Sequence, residues 1–359
     1  MIRRPVPARS HSLEWLFYVR ASLLALLVAG LAACARDASL LKLGGQTMGT
    51  TWSATLILPP DSDQEELQLL AGIEALLESV NNSMSTYRED SEISRFNRTP
   101  VGEWFPLSQG FYEVLSAAMA IGWQSGGAYD VTVGPLVNLW GFGPGGQAPE
   151  PPADAAIKSA MARVGQDYLR VDGEALRLRK DADVYLDFSS IAKGFAVDEI
   201  ARYLGAAGIS NYMVEVGGEM RLSGYSPRGD SWRVAIEQPQ AGGFGIARTI
   251  YLGNAAVATS GDYRNFFEVD GKRYSHSIDP RTGRPVAHEL VSVTVVHPST
   301  MMADAWATAL TVLGADEAFA VAQAQGLAVY LIQREGQGFS SRHTDAFAPY
   351  LVEAETGQQ

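Results

Sequence analysis

Along this chain apolar positions recur with two different periods, and the change of period marks out the elements. Thr47 to Leu58 alternates well enough for a strand. From Glu65 to Val80, Leu67, Leu70, Ile73, Leu77 and Val80 fall on one face and predict a helix. A second helix runs from Gly110 to Gln124 and stops at Ser125-Gly126-Gly127. Gly141 to Pro152, rich in glycine and proline, is loop. Tyr168 to Val171, Ala175 to Arg179 and Val184 to Phe188 are short strand-like runs separated by turn residues, followed by a helix from Ile191 to Leu204. Tyr212 to Leu222, Ser231 to Glu237, the run before Thr259 and Leu290 to Val296 predict further strands. Helices over Met301 to Leu313 and Glu317 to Gln325 and a last strand from Ala328 to Gln333 complete the pattern. Hairpin-like strands with interspersed helices, instead of a regular βαβ alternation, indicate an α+β fold of antiparallel sheets with flanking helices.

The first residues follow a different pattern. Arg3, Arg4, Arg9 and Arg20 precede an apolar run from Ala21 to Ala33, short for a membrane span but suited to the core of a signal peptide. It ends in Leu31-Ala32-Ala33-Cys34, the small-residue-then-cysteine pattern of a bacterial lipobox, so the mature chain is expected to begin at a lipidated Cys34. The expected organisation is a signal peptide over residues 1–33, a tether over 34–45 and one large or two closely joined domains over 46–350. Cys34 is the single cysteine, which excludes an intramolecular disulfide and a cysteine metal cluster. Residues 1–33 hold four arginines and one glutamate, a net +3; against −12 for the whole chain, the remainder carries −15. So acidic a body is a poor partner for nucleic acid. An anionic ligand must be held by local devices: a metal, a helix N-terminus or a lysine.

Several segments carry residues suited to such chemistry. Asp187-Phe188-Ser189-Ser190 leads from a strand into a helix with Lys193 in its first turn, and a helix N-terminus with a lysine suits phosphate. The plain alternative is a serine cap beside a surface lysine. Asp304 and Thr308, one helical turn apart among alanines, offer two hard oxygens to Mg²⁺, or else a helix-terminal acid and a threonine bonded back to the backbone. His276 precedes the Asp279-Pro280-Arg281-Thr282-Gly283 turn and is a candidate acid–base, or a histidine bonded within its loop. Gly126 to Pro135 holds small residues that permit close approach to a flat ligand, and Asp130 in it can bond a ribose or adenine edge. Met48 and Tyr87 supply a soft side chain and an aromatic ring for stacking. The formal G-x-G-x-x-G at Gly141, Gly143 and Gly146 is no dinucleotide fingerprint, because Pro144 and the prolines that follow occupy the place of the required helix.

Taken together, Met48-Gly49-Thr50, Met84 to Arg88, Asp90 to Asn97, Asp130 to Pro135, Leu186-Asp187, Ile191 to Gly194, Thr259 to Tyr263, Ser275 to Gly283 and Ala303-Asp304-Ala305 make the chain resemble the ApbE family of FAD:protein FMN transferases. The resemblance implies an α+β fold with an FAD site between two subdomains. It implies FAD contacts from Met48, Tyr87, Ala128, Tyr129, Asp130, Asp187, Lys193 and the backbone near Ile278. Mg²⁺ would be bound by Asp304, Thr308 and the Ser190 carbonyl, with His276 and Asp304 catalytic. Ala307 departs from relatives that carry a second acid before the metal-binding threonine, so the metal would have less protein charge around it. The implied activity moves FMN from FAD to a threonine or serine of an acceptor protein, a membrane redox subunit of the Na⁺-pumping quinone reductase or Rnf kind. The implied setting is the periplasmic face of the inner membrane, through the lipid anchor. FAD hydrolysis to FMN and AMP, or flavin binding without chemistry, are the alternatives.

Overall fold

The computed structural model describes residues 39–60, 62, 64–146, 150–239, 245–261 and 266–352. Cys34 and the signal-like segment lie outside these residues. Contacts divide the chain into a small unit, Met1–Ser39 with Leu58–Asp63, and a main unit, Leu40–Ile57 with Gln64–Gln359. The main unit holds the sheets, helices and site.

Its centre is an eight-stranded sheet. In chain order the strands are β1 (Ser39–Thr47), β2 (Thr50–Leu58), β3 (Asn211–Val216), β4 (Glu219–Ser223), β7 (Ala255–Gly261), β8 (Leu290–His297), β9 (Ala328–Glu335) and β10 (Gly338–His343), and they lie side by side in that order. From β2 onward each strand pairs antiparallel with the next. A separate hairpin, β5 (Trp232–Gln238) and β6 (Gly245–Leu252), lies between β4 and β7 in the chain. The helices are α1 (Glu66–Met84), α2 (Glu92–Arg98), α3 (Gln109–Gln124), α4 (Gly134–Leu139), α5 (Asp154–Met161), α6 (Ala192–Ala206), α7 (Thr300–Leu313) and α8 (Ala315–Ala324).

Burial explains the layering. β3 alternates half-buried and buried residues, as a strand with one covered face should. β8 is buried along its length, from Leu290 to Val296. Val291 and Val296 pack with Trp232, Ile236, Ile250 and Leu252 of the hairpin. α7 also packs on β8. Each fully buried valine or leucine here contributes about 1.5–3 kcal/mol. α7 is buried at every residue except Met302 and Thr308. Its alanines at 303, 305, 307 and 309 allow neighbours to come close on several sides.

The α+β class expected from the pattern is the observed one, with three differences. Ser39–Thr47 is strand, where most of it was expected as tether. Met48 and Gly49 have positive φ and make the tight link between β1 and β2, so the hydrophobic alternation after Thr47 belongs to the second arm of a hairpin-like pair. Tyr212 to Leu222 is two strands, not one, because Gly217 and Gly218 at positive φ turn the chain back. Among the described residues, Val184 to Phe188 joins no sheet beyond a bridge from Tyr185 to Val133. There the amide side chain of Asn97 replaces a neighbouring strand, donating to the Leu186 carbonyl at 2.9 Å and accepting from its N–H at 2.7 Å.

Candidate functional site

A cleft of ≈ 940 Å³ opens between the β1–β2 turn, α1, the loop after it and the segment leading into α6. Met48, Tyr87, Asp187 and Lys193 line it together, although they are far apart in sequence. Tyr87 is 70% exposed, an aromatic ring presented to solvent at the cleft wall. The loop bearing it is clamped to α1: Arg88 reaches both carboxylate oxygens of Glu78, at 2.5 and 2.9 Å, and Asn82 at 2.6 Å. Buried Glu92 ties the end of α1 to the start of α3, accepting from the Ser83 hydroxyl at 2.7 Å and from the Ser108 N–H and hydroxyl at 2.6 and 2.7 Å. These bonds give physical content to the Met84–Asn97 part of the sequence motif.

Lys193 enters from the first turn of α6. No side chain caps this helix; the N-cap is Ile191. The serine-cap alternative therefore does not hold, and both serines have other roles. The Ser189 N–H donates to Asp187 Oδ1 at 2.8 Å, and Ser190 Oγ bonds the Tyr129 hydroxyl at 3.0 Å.

Beneath the cleft the Lys193 ammonium stands 3.8 Å from Asp304 Oδ2 and 3.5 Å from Glu219 Oε1, and donates to the Ser189 carbonyl at 3.3 Å. The Gly194 N–H donates to Asp304 Oδ2 at 3.1 Å. α6 and α7 come this close because residue 194 is glycine: a Cβ there would lie 2.4 Å from the Thr300 carbonyl oxygen. α7 is itself held by α6. Asp198 accepts from the Ser299 hydroxyl at 2.7 Å, the Thr300 N–H at 2.9 Å and the Met301 N–H at 3.0 Å.

Two buried carboxylates thus share one ammonium. Burial raises the pKa of Glu219 to about 8, with Lys193 opposing and Asp304 adding to the rise. Burial likewise raises Asp304, against the pull of Lys193 and the Gly194 N–H. Burial disfavours the Lys193 ammonium, but Asp304 and Glu219 outweigh it and hold its pKa above the ordinary lysine value. Glu219 Oε2 is buried without a hydrogen-bond partner. One turn along α7 from Asp304, the Thr308 hydroxyl lies 3.3 Å from that of Ser260. Asp304, Thr308 and Ser260 supply hard oxygens alone, so the donors fit Mg²⁺ better than a nitrogen- or sulfur-seeking metal. Among the described residues no group of three or more His, Cys, Asp or Glu is placed to hold a metal. A cation here must take much of its coordination from hydroxyl, carbonyl, water or ligand oxygen.

Other expected site residues are not among those that line this cleft. Ala128 and Tyr129 are buried, and burial drives the Tyr129 phenol pKa well above normal. Asp130 folds its own loop: Oδ1 accepts from the Thr132 N–H and hydroxyl at 2.8 and 2.6 Å, and Oδ2 from the Gln166 N–H at 3.1 Å. Burial raises its pKa despite these bonds. Ile278 pairs with Pro285 and packs against Leu136, Trp140 and Ile157. His276 lies nearby, its ring edge-on to Phe142 at 6.3 Å. Glu219 and Asp198 were missed in the sequence. Their signals were a charged residue within an apolar strand pattern after Gly217-Gly218, and an acid on the inward side of α6.

The ApbE family matches residues 48–331 of this chain. A Vibrio cholerae FAD:protein FMN transferase is 46% identical over 323 residues, covering 89% of this chain and 96% of that protein. A Haemophilus influenzae protein of the same name is 44% identical over 322 residues, covering 88% and 93%. The solved flavin transferase ApbE from Vibrio cholerae superposes with a TM-score of 0.81 at 44% identity, over 88% of this chain and all of that one (100%). The apo flavinyl transferase ApbE of Pseudomonas stutzeri gives 0.81 at 40% identity, over 88% and 98%. The order of the cleft motifs, the fold that gathers them and these likenesses agree: the chain belongs to the ApbE family.

Proposed function

We propose that this protein is an FAD:protein FMN transferase that moves FMN from FAD onto a threonine or serine hydroxyl of an acceptor protein, with release of AMP. The observation that carries this reading is the Lys193–Asp304–Glu219 cluster beneath the cleft, beside the paired hydroxyls of Thr308 and Ser260. It combines a fixed cation for phosphate with oxygen donors for a metal. The names of the relatives support the substrate and the reaction.

The residues divide the work as follows. Tyr87 and Met48 at the cleft wall take the flat ring system. Lys193 and the uncapped start of α6 hold the pyrophosphate. The acceptor hydroxyl attacks the phosphorus on the riboflavin side, and the bond to the AMP phosphate breaks. His276 accepts the hydroxyl proton. Asp304, Thr308 and the Ser190 carbonyl are the groups that would hold Mg²⁺, which when bound neutralises charge on the pyrophosphate and the departing AMP. The expected lipid on Cys34 would confine enzyme and acceptor to one membrane surface, the periplasmic face of the inner membrane. The acceptors this suits are redox subunits of the Na⁺-pumping quinone reductase or Rnf kind.

The test is intact-mass spectrometry of an acceptor domain after incubation with the enzyme, FAD and Mg²⁺. A gain of one FMN, absent when the acceptor threonine is alanine, is expected. Free FMN and AMP beside an unmodified acceptor would replace transfer by hydrolysis. Intact FAD throughout would reject the catalytic reading.

A further inference from the structure

The Lys193 ammonium carries one charge and has two carboxylates beside it. Asp304 Oδ2 lies 3.8 Å from it and Glu219 Oε1 3.5 Å. Asp304 Oδ2 also accepts from the Gly194 N–H at 3.1 Å, whereas Glu219 Oε2, among the described residues, is buried without a hydrogen-bond partner. A buried carboxylate oxygen left in that state is costly, and holding phosphate at Lys193 or metal at Asp304 does not by itself require it.

The three groups differ in their freedom to move. Glu219 opens β4 directly after the Gly217–Gly218 turn and pairs with Val216 across it. Asp304 sits on α7, and both α6 and α7 pack on β4. The two acid side chains are 8% and 4% exposed, against 25% for Lys193, which lines the cleft. Of the three, lysine has the long flexible stem. That stem passes Gly217, where a Cβ would stand 3.2 Å from Lys193 Cδ, so the glycine leaves it room to turn.

An ammonium and a divalent cation on one carboxylate repel each other. Asp304 is the one acid of α7, so a lysine left on it cancels the only carboxylate charge that helix offers a metal. To hold Mg²⁺, Asp304 must give up Lys193, and a buried ammonium then needs another anion. We infer that Glu219 is a positioning residue, the second seat of the Lys193 ammonium: it takes the lysine when Asp304 turns to Mg²⁺ and keeps it at the cleft, facing the pyrophosphate. The inference rests on the transferase reading above and on its metal site. It gives the unpartnered Glu219 Oε2 a use, as an acceptor for the ammonium once Asp304 has released it.

The probe is Mg²⁺ alone, titrated by calorimetry into the metal-free chain at about pH 9, above the Glu219 pKa of about 8. Glu219→Gln, which keeps the shape of the side chain, leaves Lys193 to Asp304 and should raise the Mg²⁺ Kd at least about tenfold. Lys193→Met removes the competing cation, so its Kd should not rise above that of the wild type. In the Lys193→Met background, Glu219→Gln should then change Kd by less than about threefold. A direct metal ligand, or an acid that merely supports the fold, would weaken Mg²⁺ binding in both backgrounds alike. Equal effects in the two backgrounds, or a wild-type Kd in Glu219→Gln, overturn the second seat while leaving the transferase reading intact. A wild-type chain that takes up no Mg²⁺ defeats the metal site itself, and the second seat with it.

Discussion

The contact of Asp198 with the start of α7 lets stability and catalysis be tested by one change. Asp198 does not line the cleft, yet it holds the helix that carries Asp304 and Thr308. Its carboxylate is 15% exposed and meets three donors at the α7 N-terminus, two of them backbone N–H groups. Asp198→Ala removes an anion from the positive end of a helix and leaves those N–H groups to whatever water can reach them. The lost dipole interaction is worth up to about 2 kcal/mol in a partly buried setting. Each hydrogen bond to a charged group adds about 1.5–3 kcal/mol, reduced where water substitutes. A net loss of about 3 kcal/mol follows, and in a domain of this size that lowers Tm by roughly 4–6 °C. Asp198→Asn, which keeps an acceptor but loses the charge, should fall about halfway between. Misplacing a catalytic group by about 1 Å can cost about a hundredfold in rate, so FMN transfer should fall more than stability alone explains. The assays are scanning calorimetry and the initial rate of acceptor flavinylation well below the variant Tm. A Tm within about 2 °C of wild type, or an unchanged rate, would refute the claim that α6 positions the site through this carboxylate.

Asp304→Ala should abolish the heat of Mg²⁺ binding in calorimetry and reduce transfer by at least about a hundredfold; metal binding that survives the change would rule out Asp304 as a ligand. Gly194→Ala should push α7 away from α6 through the clash with the Thr300 carbonyl, lowering Tm and transfer together; a fully active, equally stable variant would contradict the close approach. Glu219 predicts a pH dependence in the metal-free enzyme. Its folded pKa of about 8 lies above the ordinary carboxylate value. Between the two values the folded state keeps a proton that the unfolded chain has released, so this group's contribution to stability falls as pH rises across that window and levels off above about 8. Glu219→Gln should remove that slope, gaining on the wild type as pH rises from about 5 to 8 in urea unfolding; parallel stability curves for the two proteins would dismiss the burial argument.

The main helices were legible because their signal is local. α1, α3, α6 and α7 each repeat apolar residues at a helical spacing, and the structure finds them within a few residues of the predicted limits. The strands were legible where one face is covered, as in β3, and were joined wrongly across Gly217–Gly218, where a two-residue turn leaves the alternation unbroken. The order of motifs likewise pointed to the family before any geometry was known. Asp187, Lys193 and Asp304 could be chosen as candidates from local context alone: a strand end, the first turn of a helix and a helix face lined with alanine.

What sequence could not decide was which partners these groups meet. Glu219 reads as one polar residue in a strand, and only the packing of α6 and α7 against β4 makes it a buried second carboxylate on Lys193. Asp130 reads as a ligand group, and only the fold shows that it also accepts from Thr132 and Gln166. The chain by itself determined the helices, the motif residues and the fold class, because periodicity and turn chemistry act over a few residues. The tertiary structure alone determined the shared ammonium and the cleft, because charge and desolvation depend on neighbours that are distant along the chain.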